Sequence, residues 1–335
     1  MATDIGVVGA GAWGTALAKV LADKGERVTL WCHGEACYQD ITEWRENRVY
    51  LAGIALPSNI EATQSLARTV ADKYLIICAV PSHAVREVFA EAAGLIAPET
   101  LLLCGTKGLE EFKLLTMGEL FADIIGEAHK NRLAFLSGPT FAIEVARGLP
   151  TAVTVAAGSE TVAKAIQEIL STPNFRVYTS TDVAGVQIGG VVKNVIAIAA
   201  GISDGLGLGQ NARAALITRG LAEMTRLATR MGADAMTLAG LPGLGDLVLT
   251  CAGDLSRNRS VGLQIAAGKS LREITGSTRG VAEGVRNTRS LCSLARRLGI
   301  EMPIVEQMFA VLYVGKKPAE AVRDLMQRSL KPEAG

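Results

Sequence analysis

Net charge is almost missing from this sequence: 34 Lys and Arg against 33 Asp and Glu leave a formal +1 over 335 residues. A surface for nucleic acid or an anionic membrane needs an excess of positive charge, so neither partner is expected. A small basic pocket for a phosphorylated metabolite would not show in that total. Histidine is scarce too. His33, His83 and His129 have no metal-ligand spacing and no serine or cysteine partner pattern, so no metal site is expected and no histidine is given a catalytic role. The six cysteines, Cys32, Cys37, Cys78, Cys104, Cys251 and Cys292, form no CxxC pair and no Cys/His cluster. They read as free thiols of a reducing compartment, with Cys78 and Cys104 packing as small hydrophobes in apolar runs. There is no internal repeat, no low-complexity tract and no Pro/Ser-rich linker. Met1-Ala2-Thr3-Asp4 leads straight into a strand-like run, which leaves no room for a signal or transit peptide and predicts a cytoplasmic protein.

What is present is apolar and alternating. Hydrophobic residues make up 49% and charged residues 20%, a soluble globular profile, and the length suffices for two domains that each bury a core. The chain is organised around Ile5-Gly6-Val7-Val8-Gly9-Ala10-Gly11-Ala12-Trp13-Gly14, a strand-length apolar run meeting GxGxxG. A helix over 15–24 and a second strand over 27–31 follow at βαβ spacing. In such a turn Gly9 allows the reversal, Gly11 lets backbone approach a pyrophosphate, and Gly14 lets the helix lie on the strand. The diphosphate then sits on the unpaired N–H groups of the helix start. This context predicts a Rossmann-type site for NAD or NADP. At the second strand's end, where an NAD-only site places an acid, stands His33, with Glu35 two residues on, so NADP stays open. Arg45 and Arg48 either form a solvated face or assist a 2′-phosphate.

Further strands are expected over 74–80, 101–104, 133–137, 151–156 and 175–179, with Ser82 capping a helix to about residue 93 and another helix over 160–170. Strand and helix in alternation predict a mostly parallel sheet covered on both faces, with ligands at the strands' carboxyl ends, where Lys107 and the Gly138 to Thr140 turn fall. From about residue 181 the pattern becomes helical. The expected domains are therefore 1–185 and 186–335. The run from Val183 to Ile202 is long and apolar, but it holds Gln187, Lys193 and Asn194. A central lysine costs a membrane span about 2.5–3.5 kcal/mol, which favours a buried helix of a soluble core.

Lys193 is the sharpest chemical signal of that half. Apolar surroundings disfavour its charged form, which suits a general base or a donor to a carbonyl oxygen; the alternative is a lysine that snorkels or makes a buried ion pair. Asp246, in Gly243-Leu244-Gly245-Asp246-Leu247, either pairs with Lys193 or caps the helix that starts there. Ser256-Arg257-Asn258-Arg259 is a phosphate-competent set before a helix-like run, or else a solvated basic turn.

Gly9 to Thr15, Thr106-Lys107-Gly108-Leu109-Glu110, Ser137-Gly138-Pro139-Thr140-Phe141-Ala142, Val192-Lys193-Asn194-Val195, Gly243 to Leu247 and Ser256 to Arg259 together resemble the bacterial NAD(P)-dependent glycerol-3-phosphate dehydrogenases, over nearly the whole chain. The resemblance implies an α/β fold, a Rossmann-type domain followed by an all-helical domain like that of 6-phosphogluconate dehydrogenase, with the active site between them. It implies hydride transfer between sn-glycerol 3-phosphate and dihydroxyacetone phosphate, for phospholipid synthesis. It implies Lys193 as proton acceptor, with Asp246 tuning it and Lys107 stabilising oxyanion charge. Lys107, Gly138, Thr140, Lys193, Asp246, Ser256, Arg257 and Asn258 are the implied substrate contacts. Gly9, Gly11, Ala12, Trp13, Gly14, His33, Lys107, Ala142, Arg257, Val281 and Glu283 are those of the cofactor. Ala12 stands where many relatives have serine, a weak departure because backbone N–H groups serve there. A homodimer is carried as an expectation. The rival readings are a related dehydrogenase of a 3-hydroxy acid or of ketopantoate, using the Ser256-Arg257-Asn258 turn for a carboxylate, and a non-catalytic NAD(P) sensor, which would have no need of Lys107, Lys193 and Asp246 together.

Overall fold

Short apolar runs separated by helices become the strands of a single sheet. The computed structural model describes residues 3–277, 282–330, 332 and 333. Val281 lies outside the described residues. The strands are β1 (Asp4–Val8), β2 (Arg27–Trp31), β3 (Ile60–Thr63), β4 (Leu75–Cys78), β5 (Leu101–Cys104), β6 (Leu133–Ser137), β7 (Thr151–Ala157) and β8 (Phe175–Ser180), ordered β3-β2-β1-β4-β5-β6-β7-β8. All neighbours run parallel except β6 and β7. Between those two stand only the 13 residues from Gly138 to Pro150, with one five-residue helix, Ala142–Ala146. That is close to the minimum for a parallel crossover, and the chain doubles back instead. Strand β3 was not expected from the sequence, because Ile-Glu-Ala-Thr is short and carries its charge at a sheet edge.

Side chains alternate across the central strands. Ile5, Val7, Leu75, Ile77, Leu101 and Leu103 enter one core, while Val8, Ile76 and Leu102 enter another with Phe89 and Phe121. Both faces are thus covered, which is why these strands read as unbroken apolar runs. The strand order reverses direction between β1 and β4, and in open α/β sheets ligands bind in the crevice at the carboxyl ends of the strands at such a switch point.

The helices that bear on the site are α1 (Ala12–Asp23), α2 (Val183–Gly205), α3 (Gly209–Arg230), α4 (Asp246–Ala252), α5 (Arg257–Ala266), α6 (Glu283–Leu298) and α7 (Pro303–Tyr313). A third core forms around α2, where residues of the helix such as Ile196 meet Leu227, Leu247 and Leu291. A helix apolar on every side has to be buried. By length and composition α2 passes for a membrane span, yet 83% of its most apolar window is buried within the protein. Its glycines allow backbone contact with α5: a Cβ at Gly201 would lie 2.0 Å from the Arg259 carbonyl oxygen, and one at Gly262 2.1 Å from that of Ile198. This close seat fixes α5, and with it the Ser256-Arg257-Asn258 turn, against the helix that carries Lys193.

Candidate active site

The glycine turn after β1 has the shape a dinucleotide needs. Gly9 has φ +115°, and a Cβ there would lie 2.9 Å from the Ala79 carbonyl carbon. A Cβ at Gly14 would lie 1.9 Å from the Gly9 oxygen, so this glycine is what lets α1 rest on the turn. At Gly11 a Cβ would meet nothing within 4 Å. Open space therefore faces the start of α1, where Gly11 is the N-cap, no side chain caps the helix and its first turn holds no acid. Unclaimed N–H groups beside open space are suited to a diphosphate. Trp13 begins the same helix, and its Nε1 is buried without a hydrogen-bond partner among the described residues. These features fit NAD(P) as the resident cofactor.

His33 is exposed just beyond β2, its ring centroid 5.5 Å from that of Trp31. Arg45 does not serve a 2′-phosphate, because its guanidinium donates to the carbonyl oxygens of Ile60 (2.9 Å) and Pro57 and so ties down the loop before β3. Arg48 lies over the Trp44 ring at 4.4 Å.

Across the crevice, α2, α4 and the turn after β5 converge on one carboxylate. Asp246 has no exposed surface. Its Oδ1 accepts from Lys193 Nζ at 2.5 Å and its Oδ2 from Lys107 Nζ at 2.7 Å. It opens α4, but its side chain pairs with both lysines, which decides against the capping role. Lys193 is 6% exposed and also donates to Thr250 Oγ1 at 3.1 Å, one turn beyond Asp246 on α4. Burial pushes Lys193 from 10.5 down to about 8; Asp246 opposes the fall and Lys107 adds to it. Burial pushes Asp246 upward, but Lys107 and Lys193 together hold it below the ordinary carboxylate value. The result is a fixed anion beside a lysine that changes protonation near neutral pH. Placement of α4 depends on a π-helical turn, Leu241–Gly245, that lies close on α2: a Cβ at Gly189 would come 2.4 Å from the Pro242 oxygen.

Lys107 also reaches the Gly138 carbonyl oxygen at 3.3 Å, which accepts Thr140 Oγ1 at 3.2 Å. Gly138 has φ +141° and sits against Val153, a position open only to glycine. Ala142 starts the short helix that follows and packs on the same core as α1.

The third part is the start of α5. Ser256 caps it, accepting from the Arg259 N–H at 3.2 Å, which leaves the N–H groups of Arg257 and Asn258 at the first two helical positions without a capping partner. Asn258 donates to Asn194 Oδ1 at 2.9 Å and accepts from the Gly284 N–H at 3.0 Å, so it is a strut between α2, α5 and α6, with one side-chain N–H left over among the described residues. Arg257 is an exposed residue whose guanidinium makes no hydrogen bond among the described residues; partial burial of the charge pulls its pKa below the ordinary arginine value, and Glu283 opposes the fall. Glu283 opens α6 and takes Ser82 N–H at 2.9 Å on one oxygen and Ser82 Oγ at 2.6 Å on the other. Ser82 therefore bridges to α6 rather than capping the following helix, which begins as a 3₁₀ turn. One turn along, Asn287 donates to the Lys107 carbonyl oxygen at 3.3 Å.

Lys107, Gly138, Thr140, Lys193 and Asp246 thus form one cluster, joined to Ser256, Arg257, Asn258 and Glu283 through Asn194 and Gly284. His33 stands apart at the β2 end. Ser82 was read from the sequence only as a helix cap, and Thr250 and Asn287 were not singled out. Thr250 was findable from its i,i+4 spacing to Asp246, and Asn287 from the same spacing to Glu283. Ser82 had no such signal.

Models of the NAD-dependent glycerol-3-phosphate dehydrogenase N-terminus and C-terminus match residues 4–163 and 182–323. The chain belongs to this family. The glycerol-3-phosphate dehydrogenase (NAD(P)+) of Geobacter sp. strain M21 is 52% identical over 333 residues, 99% of each chain. That of Citrifermentans bemidjiense is 53% identical over 333 residues, again 99% of each. The crystal structure of glycerol-3-phosphate dehydrogenase from Coxiella burnetii superposes with a TM-score of 0.93 at 41% identity, covering 98% of this chain and 99% of that one. The dehydrogenase is an oxidoreductase that interconverts sn-glycerol 3-phosphate and dihydroxyacetone phosphate with NAD(P). This decides against both rival readings, the carboxylate dehydrogenase and the redox sensor.

Proposed function

We propose that Lys193 carries the proton of this reaction at the substrate's C2 oxygen. In reduction its ammonium donates to the oxygen as the carbonyl becomes an alcohol; in oxidation its neutral amine takes the proton back. NAD(P), held by Gly9, Gly11, Ala12, Trp13 and Gly14 with His33, Lys107, Ala142, Arg257 and Glu283 along its length, supplies or accepts the hydride when bound. Asp246 holds Lys193 in place and keeps its protonated form accessible. Lys107 faces the same carboxylate and stabilises negative charge on the oxygen, while Gly138 and Thr140 shape the wall beside it. Arg257 and the free N–H groups at the start of α5, set by the Ser256 cap and the Asn258 strut, take the phosphate. The observation that carries this reading is the buried Lys193–Asp246–Lys107 cluster, tied through Asn194 and Asn258 to a helix start whose first two N–H groups have no capping partner.

The chain divides near residue 185, within the first turn of α2, into a cofactor-binding and a substrate-binding half. It works in the cytoplasm as a homodimer and supplies glycerol 3-phosphate for phospholipids. Balanced charge and the burial of α2 support the first statement; dimers are common in dehydrogenases of this build.

The test follows loss of reduced-nicotinamide absorbance with dihydroxyacetone phosphate, with NADH and NADPH in parallel and ketopantoate as control, for the native chain and Lys193→Met. Turnover with dihydroxyacetone phosphate, abolished in the variant while NADH binding stays near native, is expected. A variant that keeps most of its turnover removes Lys193 from the reaction.

A further inference from the structure

Away from the crevice the helical half holds a large cavity of about 850 Å³, bounded by α3, the end of α6, the start of α7 and the last described residues. A second space of about 400 Å³ adjoins it along α3. Arg219, Arg226 and Arg230 of α3 line the larger cavity. At 3.6 residues per turn they fall within about 40° of one another, along roughly 16 Å of helix. Arg328 lines the same space from the C-terminal segment.

Little in the structure neutralises this stripe. Arg226 and Arg230 are like charges at i,i+4, an arrangement that destabilises a helix. Glu223, a carboxylate on the same stripe, lines the cavity and interacts with Arg226, but it is 3% exposed and its two oxygens accept from the N–H groups of Ile304 (2.7 Å) and Val305 (3.4 Å) at the start of α7. Among the described residues Arg219 donates only to the Glu333 carbonyl oxygen, Arg226 only to that of Glu301, and Arg328 pairs with the Glu301 carboxylate at 3.2 Å. Arg230 has no partner among the described residues. Four guanidinium groups thus meet three carboxylates, of which Glu223 is buried against backbone N–H groups and Glu333 lies in the adjoining space, in a chain whose total charge is +1. Leu298, Ile300 and Leu325 form an apolar wall beside them.

We propose that this cavity is a second ligand site, separate from the crevice, for an organic polyphosphate of nucleoside-triphosphate size. The phosphates lie along Arg219, Arg226 and Arg230, whose spread no single phosphate spans, and the apolar moiety lies on Leu298, Ile300 and Leu325. Guanidinium forks suit phosphate oxygens, and the volume falls in the range of small-molecule pockets.

Calorimetric titration of the full chain with ATP, and separately with inorganic tripolyphosphate, tests this. ATP is expected to bind saturably to the native protein and equally to Arg257→Ala. The double variant R219Q/R230Q should weaken it by at least about tenfold, while R219K/R230K, which keeps the charge but loses the fork, should lie between. Turnover and melting temperature of both double variants should stay native. Tripolyphosphate should bind more weakly than ATP. Absence of saturable binding to the native chain overturns the proposal. So does binding lost in Arg257→Ala but kept in R219Q/R230Q, since the ligand then occupies the crevice. Tripolyphosphate binding as tightly as ATP removes the apolar wall from the site.

Discussion

Replacing Asp246 by Asn takes one negative charge from between two ammonium groups while keeping the side chain's shape. Lys193 Nζ lies 2.5 Å from one oxygen and Lys107 Nζ 2.7 Å from the other. In the native chain burial brings Lys193 to about 8, with Asp246 limiting the fall. Removing an opposite charge at this range withdraws roughly 1–3 pKa units, which puts Lys193 at roughly 5–7 in the variant. At pH 7 the native lysine is then about 90% protonated, and a variant lysine at about 6 only about 10%. The free enzyme's titration appears in kcat/KM. Oxidation of glycerol 3-phosphate needs the neutral amine, so its kcat/KM should rise with pH through about 8 in the native enzyme and through a midpoint roughly 1–3 units lower in the variant. Reduction of dihydroxyacetone phosphate needs the ammonium and should fall across the same midpoints.

Stability gives an independent readout of the same exchange. Stranding a buried charge costs about 3–5 kcal/mol, but Lys193 escapes part of this by losing its proton, at about 1.4 kcal/mol for one pH unit. The expected loss at pH 7 is therefore about 1–3 kcal/mol. Because the native lysine holds its proton to higher pH than the variant's, the native advantage is full below the variant's value and is lost as pH rises through about 8. Initial rates in both directions and thermal melts across this range measure both effects. A kcat/KM midpoint that stays put or moves to higher pH refutes the reasoning, because Asp246 would then not be what keeps Lys193 charged.

The glycine turn predicts opposite outcomes at two of its positions. Gly11→Val points into open space and should melt like the native chain while weakening NADH binding by about 100-fold, whereas Gly14→Ala, forced onto the Gly9 oxygen, should lose about 2 kcal/mol or more of stability. NADH fluorescence titration and melting curves separate them, and native-like NADH affinity in Gly11→Val would remove the turn from the cofactor site. Arg257→Ala should lower kcat/KM for dihydroxyacetone phosphate by about 10–150-fold, the loss of one charged hydrogen bond, and lower the slow reduction of unphosphorylated dihydroxyacetone by much less, since only the cofactor contact is lost there. An equal loss with both substrates would mean that Arg257 does not read the phosphate.

Local chemistry was legible along the chain because each signal needs only its neighbours. The GxGxxG between a strand and a helix, the apolar runs of β1, β4, β5 and β6, and the alternation that implies a covered parallel sheet all depend on residues within a few positions of one another. Edge strand β3 had too few apolar residues to show. The reversal at β7 had no sequence signal either, because direction depends on how a 13-residue connection packs. At Ser82 a serine before a helix reads as a cap, and only the approach of α6, 201 residues later, gives its hydroxyl to Glu283.

The sequence by itself determined that a dinucleotide turn opens the chain, that the sheet lies between two covering layers, and that a lysine sits in an apolar helix where its charge is disfavoured. It left open whether Asp246 caps α4 or pairs with Lys193, and whether Arg45 reaches a 2′-phosphate. Those questions turn on distance across the fold: Asp246 lies 53 residues from Lys193 and 139 from Lys107, and hydrogen bonds of 2.5 and 2.7 Å to both form only when the π-helical turn seats α4 on α2. Charge pairing falls off steeply with separation and gains strength once water is excluded, so burial in the packed fold, which no stretch of sequence contains, decided which acid governs the lysine.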